Sequence, residues 1–280
     1  MRFSITLFAT DRTVDPVSAA VAAEARGFYA FYVAEHTHIP VSRDTPHPLT
    51  GDALADEYRR TLDPWTALAA ASSATERIKL GTSVALVAEH HPITLAKEIA
   101  TVDYLSKGRV VLGAGYGWNL EELADHGVDP RHRRAVVREH VLAMQEIWTH
   151  QEASFEGEHV RFAPTWSWPK PTQSRVPVLI GAAAGPRTFA HIAEFGDGWM
   201  PHGGAGLSRS LPLLREAWEA AGRDPASLQV VLMGVIPDPG KLEYYREQGA
   251  TEIALGFPAG DAAVAEKALD GLAAIAETFS

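Results

Sequence analysis

The chain has 280 residues, 46% of them hydrophobic and 21% charged, with a formal net charge of −10 and no cysteine. That apolar share builds a large buried core and excludes intrinsic disorder, while the acidic balance argues against a nucleic-acid partner. The missing thiols exclude disulfides, thiol catalysis and cysteine-bound metal centres, and they suit a reducing cytoplasm.

The N-terminal MRFSITLFATDR reads as a first strand, over 2–8. Its apolar stretch is brief, holds Ser4 and Thr6 and meets Asp11, which a signal peptide does not do. No apolar run approaches the ~18 residues of a membrane span, so no membrane partner is expected. Seven further β-branched or apolar runs follow, at 28–34, 78–84, 110–115, 176–181, 198–201, 228–234 and 252–257. Their near-continuous hydrophobicity is that of parallel strands buried on both faces. Helical spacing fills the intervals: Leu95, Ile99 and Val102; Val137, Val141, Met144 and Trp148; Leu269, Leu272 and Ile275. Asp15-Pro16, Asp63-Pro64, Asp129-Pro130 and Asp224-Pro225 read as helix starts, the aspartate capping orphan amides and the proline losing no bond. Gly27, Gly108, Gly196 and Gly249 read as left-handed helix stops.

Eight β-α units in series predict an α/β fold of the (β/α)₈ TIM-barrel kind, one domain over 1–280, with a doubly wound sheet as the alternative. Two connections are long. The loop 36–62 after the second strand carries His36, His38 and His47 and belongs to the C-terminal face, where barrel active sites lie. The insertion 155–175, between the fourth helix and the fifth strand, carries Trp166 and Trp168 and starts at the opposite face. It must fold around the barrel to reach the chemistry, or else serve a dimer contact.

Chemistry-bearing residues sit at the strand ends. Glu35-His36-Thr37-His38 ends the second strand, where a histidine serves as general base, metal ligand or hydrogen-bond partner to a ring. The fifth and eighth strands end in Gly181-Ala182 and Gly256-Phe257, which supply no further ligand, so no metal is expected. Gly113-Ala114-Gly115-Tyr116-Gly117-Trp118-Asn119 ends the fourth strand in a turn whose glycines admit close approach of a ligand or simply make a tight turn. Gly181-Ala182-Ala183-Ala184-Gly185-Pro186-Arg187-Thr188 joins a small-residue loop to a helix N-terminus, the makings of a phosphate cradle. Arg131, Arg133, Arg134 and Arg138 form a basic run, either a solvated face or a contact for an anionic cofactor tail. His90-His91-Pro92 either lines the pocket or caps the next helix, and Trp118 is the tryptophan best placed to face a ligand.

On the segments 60–119, 127–148 and 177–201, the chain resembles the luciferase-like (bacterial-luciferase-type) oxidoreductases, in their coenzyme F420-dependent branch. The resemblance implies a barrel with an insertion, a homodimer, and a flavin or deazaflavin ring in the barrel mouth. It implies a cis non-proline peptide at Ser83–Val84 backing the ring, and Glu35 and His36 beside it. Gly115, Tyr116 and Asn119 would form the fourth-strand turn, and Ala184, Gly185, Pro186, Arg187 and Thr188 the phosphate loop. The function implied is hydride transfer between F420 and a small-molecule substrate, His36 being the first candidate for the proton and Tyr116 the second. The alternatives are an FMN-dependent monooxygenase, a barrel that only binds a flavin-type cofactor, and a metal-dependent hydrolase.

Overall fold

The computed structural model describes residues 1–257 and 262–279. In chain order the elements are β1 (Arg2–Leu7), α1 (Pro16–Ala25), β2 (Ala30–Val33), α2 (Pro64–Ala74), β3 (Lys79–Thr82), α3 (Pro92–Leu105) and β4 (Val110–Gly115). Then come α4 (Leu120–Asp125), α5 (Arg133–Thr149), β5 (Ala153–Glu156), β6 (Arg161–Thr165), β7 (Val178–Gly181) and α6 (Pro186–Phe195). The chain ends with β8 (Gly198–Trp199), α7 (Leu207–Ala220), β9 (Gln229–Met233), α8 (Pro239–Gln248), β10 (Glu252–Gly256) and α9 (Ala262–Glu277).

Eight parallel strands close a barrel in the order β1-β2-β3-β4-β7-β8-β9-β10, with β10 pairing back to β1. Each falls inside an expected run, and closure removes the doubly wound alternative. The fold is therefore the expected TIM barrel. Inside it, Tyr32, Val111, Leu179, Met200 and Val231 pack together, while the larger cluster lies between strands and helices. The helices bury the expected faces: Leu95, Ile99 and Val102 on α3, and Val137, Val141, Met144 and Trp148 on α5. The barrel floor is polar. Ser4 Oγ and Tyr32 Oη donate to the buried Glu252 carboxylate at 2.6 and 2.9 Å.

The caps agree in part. Asp15 and Asp63 accept amides of the first turns of α1 and α2. Asp129-Pro130 opens only a turn, and α5 starts three residues later at Arg133. Asp224-Pro225 opens a single 3₁₀ turn, Pro225–Ser227. Gly196 has φ −84° and continues in extended backbone into β8, so it is not a left-handed stop.

The insertion forms the antiparallel hairpin β5–β6, with Phe155 stacked on Phe162 at 6.4 Å. Its tip docks on α5, where Glu139 accepts the amides of Glu158, His159 and Val160 at 2.7–2.9 Å. Gly157 has no room for a side chain, since a Cβ there would lie 2.2 Å from Glu139 Oε2. The hairpin thus climbs back along the barrel wall toward the face its sequence position starts away from.

Candidate active site

The barrel mouth holds a cavity of about 520 Å³. Its walls come from the ends of β2 (Ala34, Glu35, His36), β3 (Ser83, Val84), β7 (Gly181 to Ala184) and β8 (Met200, Pro201, His202), and from loop 36–62 folded over the top. The size is that of a small-molecule or cofactor site.

The floor under the mouth explains two of the glycines. The Ser83–Val84 peptide is cis, as the resemblance implies. A Cβ at Gly115 would lie 2.5 Å from Val84 Cγ2, and one at Gly181 2.3 Å from Val84 Cγ1. The space those strand-end glycines leave is filled by the valine rather than by an approaching ligand. Val84 is thereby wedged between β4 and β7 as a flat apolar shelf.

His36 is held by the chain that follows β4. Its Nε2 accepts from the Trp118 indole N–H at 3.3 Å, which makes Nδ1 the protonated nitrogen. Nδ1 in turn donates to Glu122 Oε2 at 2.7 Å, and Glu122 Oε1 accepts the Thr37 amide at 3.0 Å. Glu122 is wholly buried, and His36 is 9% exposed on the cavity wall. A carboxylate that fixes one nitrogen of an imidazole leaves the other as a base aimed at the pocket.

Loop 36–62 supplies aromatic walls, of which His47 is among the sequence candidates and Tyr58 is not. Tyr58 and His47 stack edge-on around Trp118 and His36, with centroids 5.0 to 6.1 Å apart. Tyr58 Oη and His47 Nε2 lie 2.9 Å apart, and the amides of Leu49 and Thr50 donate to His47 Nδ1. Burial, then Arg43, lowers the pKa of His47.

Behind this wall lies a second cavity of about 570 Å³, lined by His90, His126, His132, His140 and His159 among others. Glu35 joins the two. It lines the mouth, and its Oε1 meets His90 Nε2 at 2.7 Å while Oε2 accepts the Leu86 amide. Burial works against charge on His90, but the hydrogen bond and charge of Glu35 outweigh it and raise its pKa. His90 is therefore a partner of Glu35; the α3 N-cap is His91, whose side chain makes no capping bond. Glu89 is buried in the same partition with neither oxygen hydrogen-bonded. No three His, Asp or Glu side chains among the described residues are set to hold a metal ion.

Other sequence candidates lie off the mouth. Tyr116 does not line the cavity: Gly115 faces Val84 inside the barrel, so the next side chain turns outward. Its hydroxyl meets His191 Nδ1 at 2.8 Å, its ring lies under the Arg134 guanidinium at 4.3 Å, and burial pushes its pKa up to about 12. This placement removes Tyr116 as a proton donor at the mouth. Asn119 is the N-cap of α4 and accepts from the Glu122 amide. A cap followed three residues on by Glu reads as a capping box, yet here Glu122 turns to His36 instead.

At the start of α6, Ala184 lines the mouth, while Gly185 is an N-cap without a side chain to satisfy the first-turn amides. Pro186 opens the helix, Arg187 is exposed and Thr188 buried. Arg134 of α5 donates to Thr188 Oγ1 at 3.3 Å. Among the described residues no carboxylate lies within ion-pair reach of Arg134, so of the basic run it alone brings an unneutralised cation to this helix end. Free amides, a helix dipole and an unpaired guanidinium suit an anionic group.

The family model for luciferase-like monooxygenases matches residues 8–240. The chain is similar to an uncharacterized protein of Mycobacterium tuberculosis (strain H37Rv), 51% identical over 262 residues, 92% of each chain. It is similar to the F420-dependent glucose-6-phosphate dehydrogenase of Nakamurella multipartita, 34% identical over 211 residues, 73% of this chain and 58% of that protein. Among solved structures it is similar to monooxygenase RslO1 from Streptomyces bottropensis, with TM-score 0.79 and 22% identity, covering 100% of this chain and 97% of that one. An F420-dependent secondary alcohol dehydrogenase in complex with an F420–acetone adduct matches with TM-score 0.74 and 19% identity, covering 91% and 92%. The FMN-bound oxygenating constituent of a diketocamphane monooxygenase of Pseudomonas putida matches with TM-score 0.65 and 18% identity, covering 83% and 66%. At these identities the structures speak for the fold alone.

Proposed function

The chain belongs to the luciferase-like monooxygenase family, and from that premise we propose that it transfers a hydride between coenzyme F420 and a small organic substrate. The observation that carries this reading is the Glu122–His36 pair, His36 lining the same cavity as Val84. Two features fit the cofactor: a flat apolar wall at Val84 for a ring, and the α6 N-terminus with Arg134 for the anionic tail. A bound 5-deazaflavin supplies a two-electron hydride carrier. The protein's own part is proton handling and positioning. His36 Nε2 takes the substrate's hydroxyl proton, and Glu122 holds the ring in the right tautomer and steadies the imidazolium. Trp118 must release Nε2 for this to happen, so its indole N–H marks the place of the substrate hydroxyl. Loop 36–62 shields the mouth from water.

The cofactor is tested by titrating F420 and FMN side by side, following quenching of cofactor fluorescence. Tighter binding of F420 supports the proposal; selective binding of FMN replaces it with the monooxygenase reading. In protein loaded with F420, His36→Asn lowers kcat/KM by roughly 10²–10⁴-fold, the usual worth of a general base. An unchanged rate removes His36 from the mechanism. A homodimer, also proposed, is checked by light scattering.

A further inference from the structure

Resting on the hydride-transfer reading, we infer that the substrate is an uncharged, largely apolar alcohol, or the carbonyl compound it yields, and not a phosphorylated or carboxylated compound. The argument is the charge of the walls. Around His36 the mouth is closed by Phe8, Leu49, Tyr58 and Trp118, and across from them by Met200 and Leu207. No lysine or arginine lines the cavity among the described residues. Arg43 comes near, with its guanidinium 5.3 Å from the Trp118 ring centre, but it is not in the lining, and two of its N–H groups donate to the carbonyls of Thr45 and Asp52. Arg134 lies at the α6 N-terminus, outside the cavity lining.

Among the described residues the one acidic side chain in the lining is Glu35, already paired with His90, so the wall offers a bound anion no free cation. A phosphate placed there loses its water and gains no cation, a cost that the ring contacts do not offset. A single hydroxyl, in contrast, finds one acceptor, His36 Nε2, and a hydrocarbon frame finds apolar walls. In the reaction the carbinol C–H bond breaks and its hydride goes to the oxidised deazaflavin, which gains two electrons. The hydroxyl proton goes to His36 Nε2, and the carbon–oxygen double bond forms. The inference separates this chain from the relatives named for glucose 6-phosphate.

The test is ligand-observed NMR titration with cyclohexanol and with glucose 6-phosphate, on the protein with and without F420. The expected result is that cyclohexanol binds at least about tenfold more tightly than glucose 6-phosphate, and that Leu49→Lys, at an exposed lining position, narrows the gap by about tenfold by supplying the missing cation. Glucose 6-phosphate binding as well as cyclohexanol to the unaltered protein overturns the inference, and so does failure of cyclohexanol to bind either form. Cyclohexanol saturating a protein that takes up no F420 supports the substrate class and overturns the hydride reading, so the two fail separately.

Discussion

Replacing Glu89 by glutamine probes the partition between the two cavities through stability. The Glu89 side chain is wholly buried, His126 Nε2 lies 3.6 Å away, and neither oxygen is hydrogen-bonded. Burial first, then the charges of Glu122 and Glu35, pushes its pKa from 4.5 up to about 9. The unfolded chain releases this proton as pH passes 4.5, whereas the folded protein keeps it to about 9. The stability tied to the neutral carboxyl is therefore complete below pH 4.5, falls as pH rises, and is gone above about 9. Between pH 4.5 and 7 the loss is about 3 kcal/mol, taking about 1.4 kcal/mol per pH unit. Glutamine has no proton to release. Urea unfolding from pH 5 to 9 should show the Glu89→Gln stability falling less steeply than that of the parent, by about that amount at pH 7. Parallel curves refute the reasoning and mean that Glu89 is ionised and solvated in the folded protein.

The remaining predictions are shorter. Glu122→Gln leaves the fold in place but frees the His36 tautomer; kcat falls by roughly 10²–10⁴-fold, with the acid limb of the pH profile moved and the F420 dissociation constant unchanged within a few-fold. An unshifted profile removes Glu122 as the positioning group. Arg134→Gln weakens F420 binding by about tenfold or more, as loss of a charge-assisted contact does, and lowers its salt dependence; equal affinity at low and high salt in both proteins rejects the tail site. Gly115→Ala drives a methyl into Val84 Cγ2 and costs about 1–3 kcal/mol of stability, read by urea midpoint. A neutral result shows that the shelf yields.

Much of the architecture is written locally. Eight strands are legible because burial on both faces demands unbroken apolar runs, and α1 and α2 because an aspartate cap followed by proline serves the next turn alone. His36, Ser83, Val84 and Ala184 are legible as mouth residues because the C-terminal end of a barrel strand is a fixed place. The tertiary structure decided the rest. Glu122 reads from its neighbours as a helix cap, yet it serves His36, 86 residues away in the chain. Tyr116 reads as a strand-end donor, yet strand alternation turns it out to His191 and Arg134. Gly115 reads as either ligand-facing or a tight turn and Gly181 as part of a phosphate loop, yet each makes room for Val84 on another strand. Caps and periodicities depend on atoms a few residues apart and so are visible in the order of residues. A proton partner, a charge balance or a wedge depends on which distant strands become neighbours, and only closure of the barrel settles that.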